Sequence, residues 1–172
     1  MYQPFELARF ALSEFERGLQ GLTGEEARTR LTKADGSEMN AISWTVGHIT
    51  GHWLLLAAYA TQGEEPTGPA RFFGAAADPT PPPLSDVLKL LDEAKASIDW
   101  LSQADDELLS AVREGYAVSR NKQESVGTVL MRATLHTWFH TGEINAARQM
   151  LGHAPIPFVG QMVGNLEWRS AP

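Results

Sequence analysis

The sequence predicts an all-α fold, namely an antiparallel four-helix bundle with a long crossing loop and one or two short extra helices. Three observations predict it. Four long segments carry apolar residues at alternating spacings of three and four, no segment alternates like a strand, and one long run of glycines and prolines interrupts the pattern. The length of 172 residues is that of one domain. We therefore treat residues 1–172 as a single domain.

The first predicted helix begins near Phe5 and carries one apolar stripe. The members of this stripe recur every three or four residues and are Phe5, Ala8, Leu12, Phe15 and Leu19. Thr23 followed by Glu26 is a capping-box pattern, in which each side chain satisfies a backbone N–H group of the other residue. The pattern predicts a short helix that ends at about Lys33.

The second long helix is expected at about Ile42–Thr61, where the sequence is apolar around most of the helix circumference. The enclosing residues 39–63 contain no Asp, Glu, Lys or Arg and are long enough to span a bilayer. We favour a buried bundle helix, because the segment contains His48 and His52 and lacks flanking basic anchors.

The connection across residues 63–83 is dense in glycine and proline, which excludes regular structure. Arg71, Phe72 and Phe73 could pin this connection onto the bundle, and a simple crossing of the bundle's length is the alternative. Ser85 is the expected cap of the third long helix. The apolar stripe of that helix consists of Leu84, Val87, Leu91, Ala94, Ile98 and Leu101.

The last part of the chain predicts a short helical turn and a fourth long helix. The acidic residues from Asp105 onward favour the turn, because they complement the dipole at a helix N-terminus. A polar loop follows across residues 115–122. The fourth long helix is expected from near Glu124 to Leu151, and it should stop at Gly152, a typical helix end.

Composition excludes several classes of function. The net charge is −7, and no cluster of lysines and arginines offers a nucleic-acid surface. The absence of cysteine removes disulfides, thiolate ligands and a cysteine nucleophile, and leaves imidazole and carboxylate as strong metal ligands. The residues from Met1 to Phe10 lack the apolar core of a signal peptide, so a cytoplasmic protein is expected.

Four of the five histidines form two pairs with helical spacing. His136 and His140 are four residues apart on the apolar stripe of the last helix, so both should point into the bundle. His48 and His52 repeat the spacing on the second helix. Three neutral imidazoles would hold one divalent ion and leave positions open, as at catalytic zinc sites, and nickel or iron could substitute. Spacing alone leaves the choice between His48 and His52 open, and chance helix positions are the alternative to a metal site.

The residues around the second pair suggest further roles. Thr137 stands where the His-Glu-x-x-His motif of zinc peptidases has its general base, so peptidase chemistry is disfavoured. Glu143 shares the histidine face and is a candidate hydrogen-bond acceptor, fourth ligand or catalytic proton shuttle, or an ordinary helix carboxylate. Arg148 could hold an anionic group of a substrate, and a solvated helix-end cation is the simpler interpretation.

Two segments resemble the DinB-like superfamily. They are Ser-Trp-Thr-Val-Gly-His, ending at His48, and Leu-His-Thr-Trp-Phe-His-Thr-Gly-Glu-Ile, which contains His136 and His140. The resemblance extends over essentially the whole chain. It implies an antiparallel four-helix bundle with an unusual crossing topology, and a metal held by His48, His136 and His140. A shift of one turn would make His52 the ligand instead, so His52 is the reserve.

The resemblance also implies a class of chemistry. Similar proteins include transferases that use low-molecular-weight thiols such as bacillithiol, mycothiol-dependent isomerases, and many proteins described only as metal-dependent hydrolases. We expect a divalent ion, zinc or nickel, and a small-molecule substrate, with a low-molecular-weight thiol as the candidate cosubstrate. A noncatalytic metal- or small-molecule-binding stress-response protein is the alternative. Relatives often dimerise, so a homodimer is plausible. Glu143 departs from the glutamine common in the family, which changes the charge beside the metal.

Overall fold

The computed structural model describes residues 3–67, 80–117 and 123–160, together with residues 162, 164 and 166. Over these residues the chain is helical and has no strand, so the all-α prediction is confirmed. The only β-type pairing among them is an isolated bridge between Thr32 and Glu38. Arg71, Phe72 and Phe73, which we expected to pin the long connection, lie outside the described residues.

The described residues contain six α-helices and one 3₁₀ helix, in the following order. They are α1 (Gln3–Arg17), α2 (Gly24–Arg28), α3 (Ile42–Thr61), α4 (Leu84–Ser97), the 3₁₀ helix (Asp99–Gln103), α5 (Asp106–Ser110) and α6 (Val126–Met150). Four of them, α1, α3, α4 and α6, are long.

The long helices pack around one apolar core. Helix α3 contacts both α4 and α6, and α1 contacts α6. An ion pair of 2.7 Å between Lys95 and Glu16 joins α4 to α1. The core contains side chains from all four, with Phe15, Trp53, Leu91 and Ile144 almost fully buried. Burial of each such side chain contributes roughly 1.5–3 kcal/mol to folding.

The predicted capping box at the start of α2 is confirmed. The Thr23 hydroxyl accepts a hydrogen bond from the Glu26 N–H at 3.2 Å, and a Glu26 carboxylate oxygen accepts from the Thr23 N–H at 2.8 Å. The expected end near Lys33 is wrong, because the helix stops at Arg28. Thr29 turns to extended backbone, and the chain then forms the bridge between Thr32 and Glu38.

The predicted cap at Ser85 is also wrong. Helix α4 begins at Leu84 with Pro83 as its cap, and the Ser85 hydroxyl lies 3.3 Å from a carboxylate oxygen of Asp86. The regular α-helix ends at Ser97, and the expected continuation to Leu101 is a 3₁₀ helix.

The ends of α6 lie close to the predicted ones. Ser125 caps its first turn by accepting a hydrogen bond from the Thr128 N–H at 3.2 Å. At the other end Gly152 has a φ of 93°, the left-handed conformation that glycine adopts at low cost. Its N–H donates to the Gln149 carbonyl at 3.0 Å, which satisfies one of the last helix acceptors.

Helix α3 is buried on most sides, as its nearly continuous apolar sequence predicts. No helix in the described part of the chain has the length and apolar character needed to cross a membrane.

Candidate metal centre

The facing sides of α3 and α6 are held together by a buried hydrogen bond. The indole N–H of Trp53 donates to the Thr137 hydroxyl at 2.9 Å, and that hydroxyl donates to the Ala133 carbonyl at 2.8 Å. Trp53 and Thr137 are both fully buried. A buried N–H without an acceptor costs about 1–3 kcal/mol, so this bond fixes how α3 lies against α6. Thr137 is therefore a structural residue.

Three of the predicted histidines converge beside this contact. The ligand nitrogens of His48, His136 and His140 all lie within 4.8 Å of one another. The Nε2 atom of His136 is 3.3 Å from that of His48 and 3.0 Å from that of His140. Zinc–nitrogen bonds of about 2.1 Å at tetrahedral angles separate neighbouring ligand nitrogens by roughly 3.4 Å. The triad therefore matches the size of a divalent-ion site.

The surroundings keep His136 of the triad, and the neighbouring His52, in the neutral form. Burial, followed by the neighbouring His140 and His48, lowers the pKa of His136 from 6.5 to about 4. Burial, followed by His48, His136 and Arg132, lowers the pKa of His52 to about 3. Both rings are consequently uncharged at neutral pH, and only a neutral imidazole nitrogen has a lone pair for a metal.

Glu143 orients one of the three converging histidines. Its Oε2 atom lies 2.6 Å from Nδ1 of His140, which is itself only 7 % exposed. Because a carboxylate accepts hydrogen bonds, this contact places the ring proton on Nδ1 and leaves the Nε2 lone pair facing His136. Metal-binding histidines commonly have such a partner. Of the roles considered for Glu143, hydrogen-bond acceptor is the one that this contact supports.

Aromatic rings contact two of the three histidines. The buried Trp44 stacks on His48, with ring centroids 5.2 Å apart and an interplanar angle of 14°. Phe139 places its ring edge-on to His140 at 4.9 Å. The buried Trp44 ring limits water access on its side of the triad, which strengthens the electrostatic interactions there.

His52 lies beside the triad and outside it. Its ring centroid is 4.7 Å from those of both His48 and His136, in edge-to-face contacts. Among the described residues, the group of convergent ligand atoms contains His48 and omits His52. The geometry therefore favours His48 as the third ligand and gives His52 a packing position.

Arg148 is held by the protein backbone. The side chain is 6 % exposed, and its Nη1 atom donates to the carbonyls of Gly18 at 3.1 Å and Gln20 at 2.9 Å. These bonds join α6 to the segment after α1, so the interpretation as a solvated cation is wrong. A role of Arg148 in substrate binding stays a prediction.

Sequence patterns did not predict two features of the site. One is the bond between Trp53 and Thr137, since a threonine in a helix gives no sign of its partner. The other is Arg132, which pairs with Glu124 and lies close enough to His52 and His136 to lower the pKa of both. Arg132 precedes His136 by four residues, and that spacing could have placed it on the same face.

The donor set fits a divalent metal. It contains three imidazoles from two helices, has no thiolate, and leaves coordination positions for other ligands. A cluster of this composition could hold zinc or nickel.

Comparison with known proteins agrees with this geometry. No curated protein matches the chain. Residues 7–144 match the DinB superfamily, and this range includes the four long helices in whole or in part and all three converging histidines. The chain belongs to the DinB superfamily.

Proposed function

We propose that the protein binds one divalent ion, zinc or nickel, through His48, His136 and His140 and acts as a metal-dependent enzyme on a small molecule. The observation that carries the proposal is the convergence of three imidazole nitrogens within 4.8 Å, with no protein carboxylate among them. Closed structural zinc sites use four protein ligands, whereas catalytic sites use three and keep a position open.

The chemistry of the site supports thiol transfer first and hydrolysis second. An ion in this position would act as a Lewis acid and lower the pKa of a thiol or water that reached its open positions. The chain has no cysteine, so a thiol must come from a cosubstrate. Low-molecular-weight thiols are the cosubstrates that the resemblance to superfamily members implies.

The protein's own residues would fix the geometry of that reaction. Glu143 holds the Nδ1 proton of His140, and Trp44 and Phe139 restrict the orientation of the His48 and His140 rings. Thr137 is engaged with Trp53, so it cannot replace the glutamate base of zinc peptidases. In this proposal Glu143 is also the candidate proton shuttle.

A second candidate is a noncatalytic metal- or small-molecule-binding protein of the stress response. One observation favours it. Glu143, the carboxylate in contact with the triad, already accepts a short bond from His140, and this leaves it poorly placed to remove a proton from a substrate.

Two further features belong to the proposal. We propose that the four long helices form the antiparallel bundle of the family, supported by the contacts of α3 with α4 and α6 and of α1 with α6. We also propose a homodimer, since relatives often dimerise. A cytoplasmic location stays a prediction.

The proposal is tested by a turnover screen of metal-loaded protein with several thiols and electrophiles. The control is His140→Ala, which removes one ligand. We expect consumption of an electrophile that requires both the thiol and the intact triad. Stabilisation of the protein by a small molecule, with no turnover under any combination, would overturn the enzyme and support the binding protein.

A further inference from the structure

The outward face of α6 differs from an ordinary solvated helix face. Its exposed residues include four large apolar side chains, namely Met131 at 58 %, Leu135 at 70 %, Phe139 at 68 % and Met150 at 56 % exposure. Gly142 and Ala146 are exposed between them. We call these six residues the α6 stripe. Its spacings of four, four, three, four and four keep it on one side of the helix for about 28 Å.

The α6 stripe carries no charge. The other exposed residues of α6 are Thr128 and Gln149, which are neutral. The outward face of α4, by contrast, is charged at Asp86, Lys89 and Glu93. Exposed apolar surfaces of this extent mark interaction sites in soluble proteins.

The order of side-chain sizes in the stripe points to a second copy of the same chain. Its midpoint lies between His140 and Thr141. Positions at equal distance from this midpoint pair a large side chain with a small one, Phe139 with Gly142 and Leu135 with Ala146. The outermost pair, Met131 with Met150, joins two flexible side chains that adapt to each other.

We infer that two copies pair through an antiparallel α6–α6 contact along this stripe. The inference rests on the homodimer proposed above and adds its surface and register. A twofold axis through the midpoint would set Phe139 of each copy over Gly142 of the other. The space is available, because a Cβ atom added at Gly142 would meet nothing within 4 Å. The same patch serves both copies, as an isologous interface requires.

Charge also favours the antiparallel arrangement. By helical periodicity Arg132 and Glu143 border the stripe on one side, Arg132 in the N-terminal half of α6 and Glu143 in the C-terminal half. Antiparallel pairing sets the half that contains Arg132 beside the half that contains Glu143, and it opposes the two helix dipoles. A parallel pair related by a twofold axis would place the flanks that carry these charges on opposite sides of the contact, where Arg132 and Glu143 could not meet. The uncharged stripe also lets two chains of net charge −7 approach at this surface.

The exposed large side chains of the stripe supply more than half of the area of a standard interface. Four large side chains that are each more than half exposed present on the order of 500 Å² per copy, against roughly 800 Å² per partner in a standard interface.

The first test measures the mass of the protein in solution by sedimentation equilibrium. We compare wild type with Leu135→Asp, which places a charge in the stripe, and with Val112→Asp, a control that charges another exposed apolar position. We expect wild type and Val112→Asp to be dimers and Leu135→Asp to be at least tenfold weaker in association, with unchanged helical circular dichroism. A monomeric wild type would overturn the proposed homodimer and this inference together. A Leu135→Asp variant that associates like wild type would overturn this interface alone.

The second test uses the absence of native cysteine to read the register. In the double variant Leu135→Cys/Ala146→Cys, antiparallel pairing brings the thiol at position 135 of each copy opposite the thiol at position 146 of the other. Oxidation should therefore give a covalent dimer. In Leu135→Cys alone the two thiols would be offset by about 16 Å and should stay unlinked. Efficient linkage of the single variant, or none in the double variant, would contradict the antiparallel register.

Discussion

The two histidine pairs have the same spacing and different outcomes. On α6 both His136 and His140 belong to the converging triad, whereas on α3 only His48 does and His52 packs beside it. The pairs differ in the side chains that contact each ring. Glu143 fixes His140 and the Trp44 ring stacks on His48. A spacing of four thus places two rings on one face, and the neighbouring side chains decide which nitrogens meet.

Removal of one of the three converging histidines should have the largest effect on metal binding. We expect His136→Ala to lower zinc affinity by at least 100-fold, since its Nε2 atom lies 3.3 Å from that of His48 and 3.0 Å from that of His140. Competition with a fluorescent chelator measures the affinity. Retention of wild-type affinity would show that the pair on α6 does not hold the ion.

Loss of the carboxylate behind His140 should have the next largest effect. Glu143→Gln keeps the shape of the side chain and removes its charge, so the Nδ1 proton of His140 loses its strong acceptor. Outer partners of this kind change metal affinity by about 10–100-fold. The same titration tests it, with Glu107→Gln, an exposed carboxylate on α5, as the matched control. Equal affinities of the two variants would remove Glu143 from the site.

The bond between α3 and α6 should affect stability. Thr137→Val leaves the buried indole N–H of Trp53 without its acceptor, and we expect the free energy of unfolding to fall by about 1–3 kcal/mol. Urea denaturation measures this change. Thr141→Val is the control, because that buried hydroxyl bonds only the Thr137 carbonyl one turn earlier in its own helix and should cost less. A larger loss in the control would contradict the role given to Thr137.

Replacement of His52 should have the smallest effect on metal binding. His52 contacts the rings of His48 and His136 by packing, so His52→Ala should change zinc affinity only a few-fold. Chelator competition measures the zinc affinity of His52→Ala and of His48→Ala under the same conditions, and we expect the larger loss in His48→Ala. A larger loss in His52→Ala than in His48→Ala would exchange their roles.

Local patterns predicted most of the secondary structure. The nearly uniform apolar sequence of α3 and the capping box at Thr23 and Glu26 each depend on residues of a single helix. Both predictions are confirmed in the structure. The prediction that Ser85 caps α4 is wrong because the helix already begins at Leu84, with Pro83 as its cap. The Ser85 hydroxyl contacts the Asp86 carboxylate instead. The end of α2 failed because the bridge between Thr32 and Glu38 competes with continued helix.

The site was predictable only in part. Helical spacing put His136 and His140 on one face, but the choice of His48 needed the resemblance to the DinB-like superfamily. The bond from Trp53 to Thr137 and the carbonyls that bind Arg148 join residues far apart in sequence, and no local pattern encodes such pairs.

The most direct test of the metal centre is elemental analysis of the wild-type protein, expressed without a histidine tag and reloaded with zinc or nickel. Our account predicts about one bound ion per chain. Protein that retains no ion after reloading, while keeping its helical circular dichroism, would contradict the metal centre, because the three imidazoles would then converge without binding a metal.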